Sequence, residues 1–473
     1  MVSRLVASAP RTSTNRVVAC VDFGSTFTKA ALVDTVTGEQ LATAGHRTTI
    51  DTDVLDGWDA CRATLTETDP RAADAEVLAC SSAGGGLRIA VVGNEALVTA
   101  EAGRRVALSS GGRVVHVDSG PLTREAVREL RAARPDVLLL VGGTDGGNTE
   151  VLLTCATMLA KARWRGPVVV AGNVEARDRV AALFEESGTP HVLADNVVPQ
   201  IGVLAPDSAR TAIREMFLRH VIGGKHLSAR ADFTAMVRGA TPDVVLTAVE
   251  VLARGVDAAH PGAGDVVVVD VGGATTDVHS VVELDPEDAG LARQVVATVP
   301  VSRTVEGDLG MRWSAVPTVE EGLAAGVVEA VGDGERLHRA AEVRHADPAF
   351  LPRDASDRAD DEVIATAAVG VALRRHAGRR QVGLDGGDRV VERSGKDLRE
   401  VDVLVGSGGV LRNNPPDLAA RVLGSVTGDH VPGGWQLPRE PRVVVDGDYV
   451  LAAAGLLADA HPLAAHALLA RLR

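Results

Sequence analysis

The sequence predicts an α/β protein built from two similar halves that grip a polyphosphate between them. Two glycine-rich turns carry that reading: Asp22-Phe23-Gly24-Ser25-Thr26-Phe27-Thr28-Lys29 and Asp270-Val271-Gly272-Gly273-Ala274-Thr275-Thr276-Asp277. Each follows an apolar run that reads as a buried strand, residues 17–21 and 266–269, and each leads into another apolar stretch. A hairpin tip of Gly and hydroxyl residues is mostly backbone N–H, and glycine lets it approach and wrap phosphate oxygens. The Asp before each tip suits a magnesium ion, directly or through its waters. Composition is the third observation. Aromatic residues are 2% of the chain while 45% of it is apolar, so the cores are built from Val, Leu and Ala in strand–helix layers.

Taken in order, the first half opens with a three-stranded meander over residues 16–22, 28–33 and 40–44, with residues 34–38 as its second turn. A helix over 54–67 and a strand over 77–80 lead to Ser81-Ser82-Ala83-Gly84-Gly85-Gly86 and an extended stretch, 87–93. A βαβ-like pattern comes next. Its helices fall at 122–134, 150–162 and 176–186 and its strands at 137–141 and 167–171, with the turn Gly142-Gly143-Thr144-Asp145-Gly146-Gly147-Asn148 between. That alternation calls for a largely parallel sheet covered by helices. Residues 205–220 and 242–254 read as helices, the second with Thr241 as N-cap and Pro242 in its first turn. A second meander over 265–270, 277–284 and 294–301 repeats the first at about half the chain length. Residues 346–360 form a Pro- and Asp-rich linker, 361–376 a helix and 381–396 a polar loop. A strand over 401–405 enters Gly406-Ser407-Gly408-Gly409. After a loop over 425–441 come an extended stretch, 442–445, and a closing helix, 449–460.

At 473 residues the chain fits two to three domains. A net charge of −14 disfavours nonspecific binding to nucleic acid or anionic lipid, and so few aromatics argue against base-stacking platforms. Only Lys29, Lys161, Lys225 and Lys396 are lysines, which gives Lys29 weight as a phosphate contact; the alternative is a solvated hairpin lysine. Cys20, Cys61, Cys80 and Cys155 lack CxxC spacing and read as buried thiols of a reducing cytosol. Residues 1–15 lack the apolar segment of a secretory signal and read as a disordered tail or an over-long gene start. The apolar stretch 449–472 is broken by Asp459, His461, Pro462 and His466, so no membrane span is expected and the cytoplasm is the expected location.

Asp-Gly turn, second Asp-Gly turn and late strand-Gly-Gly turn together resemble the actin, Hsp70 and sugar-kinase superfamily of ATP-binding proteins. The resemblance implies a two-lobed actin-like ATPase fold on duplicated ribonuclease-H-like domains, with ATP and Mg2+ in the central cleft. It implies a first lobe over 16–240 with the phosphate-1 hairpin. The second lobe, 241–473, holds phosphate-2 and the adenosine motif, its last helix crossing back. More narrowly, six strings are similar to the glutamate-mutase L family: DFGSTFTKAALVD from Asp22, SSAGGGLR from Ser81, LLLVGGTDGGN from Leu138, VVVVDVGGATTDVHSV from Val266, TVEGDLGMR from Thr304 and VGSGGVLRNNP from Val405. Its members accompany adenosylcobalamin-dependent mutases. That company implies an ATP-driven chaperone or reactivase, an ATPase with no metabolic reaction of its own, whose partners are mutase subunits; whether it is also a homo-oligomer stays open.

By that likeness Asp22 and Asp270 organise magnesium, and Asp270 or Asp277 orients water. Gly24, Ser25, Thr26 and Lys29 meet the phosphates from one side and Gly272, Gly273, Ala274, Thr275 and Thr276 from the other. Gly406, Ser407, Gly408 and Gly409 pass under the adenosine. No GxxxxGK[ST] is present, so a P-loop is excluded at the motif level. Three strings stay open. Asp145 and Asn148 either contact a ligand or partner or serve a strand–helix connection that Asn148 caps; Ser81–Gly86 carries the same ambiguity. Glu306 and Asp308 face either cleft or solvent. His279 and His260 receive no role. The rival functions are a small-molecule kinase of the same fold, a hydantoinase/oxoprolinase-type enzyme, and a non-hydrolysing nucleotide-bound scaffold.

Overall fold

The computed structural model describes residues 16–83, 86–222, 227–283, 299–328, 334–385, 388–428 and 433–473. The expected tail 1–15, Gly84, Gly85 and most of the strand expected at 294–301 lie outside the described residues. In chain order the first strands are β1 (Val17–Phe23), β2 (Phe27–Asp34), β3 (Gln40–Arg47) and β4 (Glu76–Ser81). β1, β2 and β3 form the antiparallel meander, and β4 runs parallel to β1 on its other side. The chain then builds β5 (Leu87–Gly93), β6 (Gly112–Ser119), β7 (Val137–Leu140), β8 (Val168–Val170) and β9 (His191–Leu193). These make a sheet of their own, all parallel, in the order β6-β5-β7-β8-β9. Only afterwards does β10 (Val237–Ala240) return to pair with β4, completing the order β10-β4-β1-β2-β3.

The second half repeats the plan. After the small ladder β11 (Gly255–Asp257) and β12 (His260–Pro261) come β13 (Val266–Val271), β14 (Thr276–Val281) and β15 (Val301–Glu306). A two-stranded hairpin, β16 (Arg379–Asp385) and β17 (Asp388–Ser394), precedes β18 (Val403–Ser407) and β19 (Arg442–Val445). The sheet order β15-β14-β13-β18-β19 matches the first strand for strand, with an antiparallel meander on one side and parallel strands on the other. Two copies of one meander-plus-parallel topology are the duplicated actin-like arrangement.

Period-2 burial explains why the inner strands read as unbroken apolar runs. Val17, Ala19 and Val21 enter the core of the first half, while Val18 and Cys20 enter a core shared with the second. In β13, Val267 and Val269 face the core of the second half, and Val266 and Val268 face the shared one. The shared core is filled by two helices, Thr241–Arg254 and Val450–Leu457, which therefore lie between the sheets. They cross so closely that a Cβ on Gly455 would lie 2.0 Å from the Val244 carbonyl oxygen. All four cysteines are free and buried. No helix among the described residues is long and apolar enough to cross a membrane.

Several expectations are corrected. The polar loop at 381–396 is largely the β16–β17 hairpin. The linker 346–360 is shorter than expected because Asp354 accepts from the Asp357 amide (2.9 Å) and starts a helix at Ala355. The third strand of the second meander is Val301–Glu306. The closing helix begins at Val450, leaving Tyr449 outside it, and a second helix, Pro462–Leu468, follows.

Candidate functional site

The two turns are the same structure. Gly24 N donates to Phe27 O (3.1 Å) and Gly272 N to Thr275 O (2.9 Å). In each, the leading Asp faces the residue seven positions on across the ladder: Asp22 opposite Lys29, Asp270 opposite Asp277. Each Asp also has a parallel neighbour, Cys80 for Asp22 and Ser407 for Asp270. The duplicated frame is thus geometrically symmetric and electrically unequal, with an ammonium in one half and a carboxylate in the other.

Both tips have their carbonyls tied down from behind. Thr48 donates through Oγ1 to Gly24 O (2.8 Å) and through its amide to Thr26 O (3.0 Å). At the second tip Met311 N bonds Gly272 O (2.9 Å), Arg312 N bonds Gly273 O (2.8 Å) and Ser314 Oγ bonds Ala274 O (2.7 Å). Among the described residues the amides of Ser25, Thr26, Gly273 and Ala274 have no protein acceptor. Occupied carbonyls and free N–H groups are what an anion cradle requires. The TVEGDLGMR string thereby acquires a physical role: its end clamps the second tip. Similarly Ser82 N and Ala83 N both bond Phe23 O (3.0 Å each), so the described part of SSAGGG braces the end of β1.

Between the tips lies a charged cluster. Asp22 is buried; its Oδ1 accepts from Thr241 Oγ1 (2.6 Å) and its Oδ2 from the Tyr449 hydroxyl (2.9 Å), with Cys80 Sγ 3.6 Å away. Thr241 therefore does not cap its helix as expected, because its hydroxyl is spent on Asp22. Burial lowers the Lys29 pKa against the opposing pull of Asp22, Asp270 and Asp446, and its Nζ lies 3.5 Å from the Tyr449 ring centroid. It is not a solvated lysine. Asp270 accepts from Ser407, and burial pushes its pKa up to about 6 despite Lys29, with Asp277 and Asp22 adding to the rise. Burial likewise raises the Tyr449 pKa, helped by Asp22 and Asp270, which keeps its hydroxyl a proton donor.

Asp277 pairs with the buried Arg303 (2.6 Å), whose guanidinium also reaches the carbonyls of Leu108 (3.1 Å) and Gly112 (3.4 Å) beside the parallel sheet. Thr275 Oγ1 donates to the other Asp277 oxygen (3.3 Å). Thr276 is fully buried at the start of β14, and Gly406 packs inside β18 against Leu411 and Leu423, so both support the site from behind. Gly408 has φ 103°, and a Cβ there would lie 2.2 Å from Val271 O, so the late Gly-Gly turn lies against the end of β13. Gly408→Ala is expected to weaken nucleotide binding at least tenfold and to cost about 2 kcal/mol of stability. Calorimetry and urea unfolding check both; an unchanged affinity would detach this turn from the site. Gly409 opens a short helix, Gly409–Arg412, that brings Arg412 to within 5.2 Å of the Tyr449 ring centroid.

The remaining open strings make contacts within the chain, with Asp145 and Asn148 themselves exposed. Asn148 Oδ1 accepts from Glu150 N (2.8 Å), capping the helix, and Asp145 Oδ1 accepts from Asn196 Nδ2 (2.8 Å) and Val174 N (3.2 Å). Glu306 and Asp308 both hold Arg375 (2.8 Å each) at the wall of a cavity of about 640 Å³ between β6 and β15. Thr241, Arg412, Asp446 and Tyr449 were not expected in the cluster. Asp446, whose buried carboxylate accepts from Val450 N (2.8 Å) and Leu451 N (3.2 Å), fixes the helix that follows Tyr449.

The donor set fits magnesium bound with a polyphosphate. Asp22 and Asp270 bring two carboxylates to the tips. Among the described residues no three His, Cys, Asp or Glu form an all-protein metal cage. Such ions typically keep waters and phosphate oxygens as ligands.

A model of the family described as MutL protein matches residues 18–472. Protein MutL of Clostridium tetanomorphum is 36% identical over 447 residues, covering 93% of this chain and 96% of that relative. Two solved structures align at low similarity. Ethanolamine utilization protein EutJ from Carboxydothermus hydrogenoformans is 12% identical (97% of this chain, 92% of that one, TM-score 0.27). Gluconate kinase from Lactobacillus acidophilus is 11% identical (95% and 91%, TM-score 0.30).

Proposed function

The chain belongs to the MutL protein family, that of glutamate mutase L, and from that premise we propose that it is an ATP-binding accessory protein of an adenosylcobalamin-dependent mutase. In this reading it hydrolyses ATP to reactivate its client by releasing damaged cobalamin. The observation that carries the nucleotide part is the pair of equivalent tips with tied carbonyls and free amides, one in each copy of the fold, beside a shared cluster of Asp22, Lys29 and Asp270.

Each residue has a task that its surroundings suit. The amides of Ser25, Thr26, Gly273 and Ala274 hold phosphate oxygens, and Lys29 adds a point charge. Asp22 and Asp270 would hold the magnesium, which would supply charge neutralisation when bound. Asp270, facing Asp277 across the ladder at the second tip, orients the attacking water. Asp277 is bound to Arg303 and serves to hold that arginine across to the parallel sheet. Phosphoryl transfer asks for positioning and electrostatics more than covalent chemistry, which this arrangement can supply.

The test is ATP hydrolysis by purified protein with magnesium, with and without a B12 mutase inactivated by hydroxocobalamin, while mutase activity is followed. Turnover that rises with the client and restores it is the expected result. Tight nucleotide binding without turnover or recovery would replace this reading with a scaffold.

A further inference from the structure

Tyr449 is the sole tyrosine among 473 residues, and it stands where the motifs of both halves meet. Its backbone is left-handed, φ 56°, a conformation that a bulky side chain keeps only when its surroundings compensate. Three polar neighbours provide that compensation. The hydroxyl donates to Asp22 Oδ2 (2.9 Å), the Lys29 ammonium lies 3.5 Å from the ring centroid and the Arg412 guanidinium 5.2 Å from it. Asp22 and Lys29 come from the first half, Arg412 and Tyr449 itself from the second. Thr241 takes the other Asp22 oxygen at 2.6 Å. Both oxygens of Asp22, and Lys29 with them, are therefore engaged within the protein.

A magnesium–nucleotide complex calls on the same two groups, Asp22 for the ion and Lys29 for the phosphates. We propose that Tyr449 is a latch that magnesium–nucleotide displaces, and that its release reports occupancy to the helix Val450–Leu457. That helix begins at the next residue and is held at its start by Asp446. It packs against the helix Thr241–Arg254 and strands β1 and β4, in the core shared by the two sheets. A displaced Tyr449 thus moves an element that both halves touch. The latch presupposes that the tips bind nucleotide.

The single tyrosine makes the test direct. Biosynthetic 3-fluorotyrosine gives one 19F resonance, to be followed while Mg–ADP or Mg–ATPγS is added to the full chain, alongside calorimetric Kd values for wild type and Tyr449→Phe. Phenylalanine keeps the ring under Lys29 and removes only the bond to Asp22. The resonance is expected to shift on saturation. The variant is expected to bind about tenfold tighter, the order set by one hydrogen bond to a charged group. Binding that emerges only in the variant supports the latch equally. A variant affinity equal to or weaker than wild type, or a resonance that stays in place at saturation, overturns the latch and leaves the nucleotide site standing. No binding by either protein overturns both.

Discussion

Asp270→Asn is expected to lower ATP turnover by at least about a hundredfold and yet to make the protein more stable at pH 8. The two effects have one cause. Burial raises the folded-state pKa to about 6 from an ordinary 3.8, so the fold holds this proton more tightly than the unfolded chain does. The contribution is fully present below about pH 4 and is lost as pH rises through about 6, leaving an ionised group that costs the fold up to ~3 kcal/mol. Asparagine keeps the shape and a partner for Ser407 without the charge. The stability gain, read from urea unfolding, should therefore shrink as the pH falls from 8 toward 5. A variant that hydrolyses ATP at the wild-type rate, or is less stable at pH 8, would mean that Asp270 neither orients the water nor carries a burial cost.

The largest loss of stability is expected from Asp361→Ala. Asp361 is 2% exposed and pairs with Arg344, itself 1% exposed, at 2.5 Å. Arg344 also donates to the carbonyls of Ala340 (2.9 Å) and Asp357 (2.7 Å) and lies 4.7 Å from the Phe350 ring centroid. Removing the carboxylate strands a buried guanidinium, which typically costs about 3–5 kcal/mol. Arg344→Met combined with Asp361→Leu should cost less, because the fully buried guanidinium leaves with its carboxylate and only the more exposed Arg312 loses a partner. Asp361 holds Arg312 as well (3.3 Å), and the Arg312 amide clamps Gly273 of the second tip. Nucleotide affinity should fall along with the urea midpoint. A cost below about 1 kcal/mol would show that the pair contributes little.

What was legible in the sequence was local. The tips announce themselves because a hairpin turn with free amides needs glycine and hydroxyl residues in consecutive positions, and β1 and β13 because both of their faces are buried. Tyr449 and Thr241 reach Asp22 from 427 and 219 residues away, and nothing in either neighbourhood marks them. Thr241 before Pro242 even carries a strong local signal for capping, which the fold overrides. β10 is four residues long, with Arg238 exposed and Gly239 inside it, too short for a pattern. The β16–β17 hairpin is so charged in sequence that it reads as a loop. The actin-like plan was readable from the repeat; the contacts that join its halves were not.

The late return of β10 to β4 has a consequence for synthesis. While the ribosome extends the chain from residue 82 to residue 236, β4 is an open edge, and the strand that will cover it does not yet exist. Unpaired edges are templates for aggregation, and a chain held open for so long is most vulnerable there. The parallel sheet β6-β5-β7-β8-β9 is built entirely within that interval and has an apolar core of its own. Collapse of that sheet before β10 emerges would shorten the effective distance that the returning strand must close. The nascent protein's hazard is thus set by the order in which the ribosome delivers its strands.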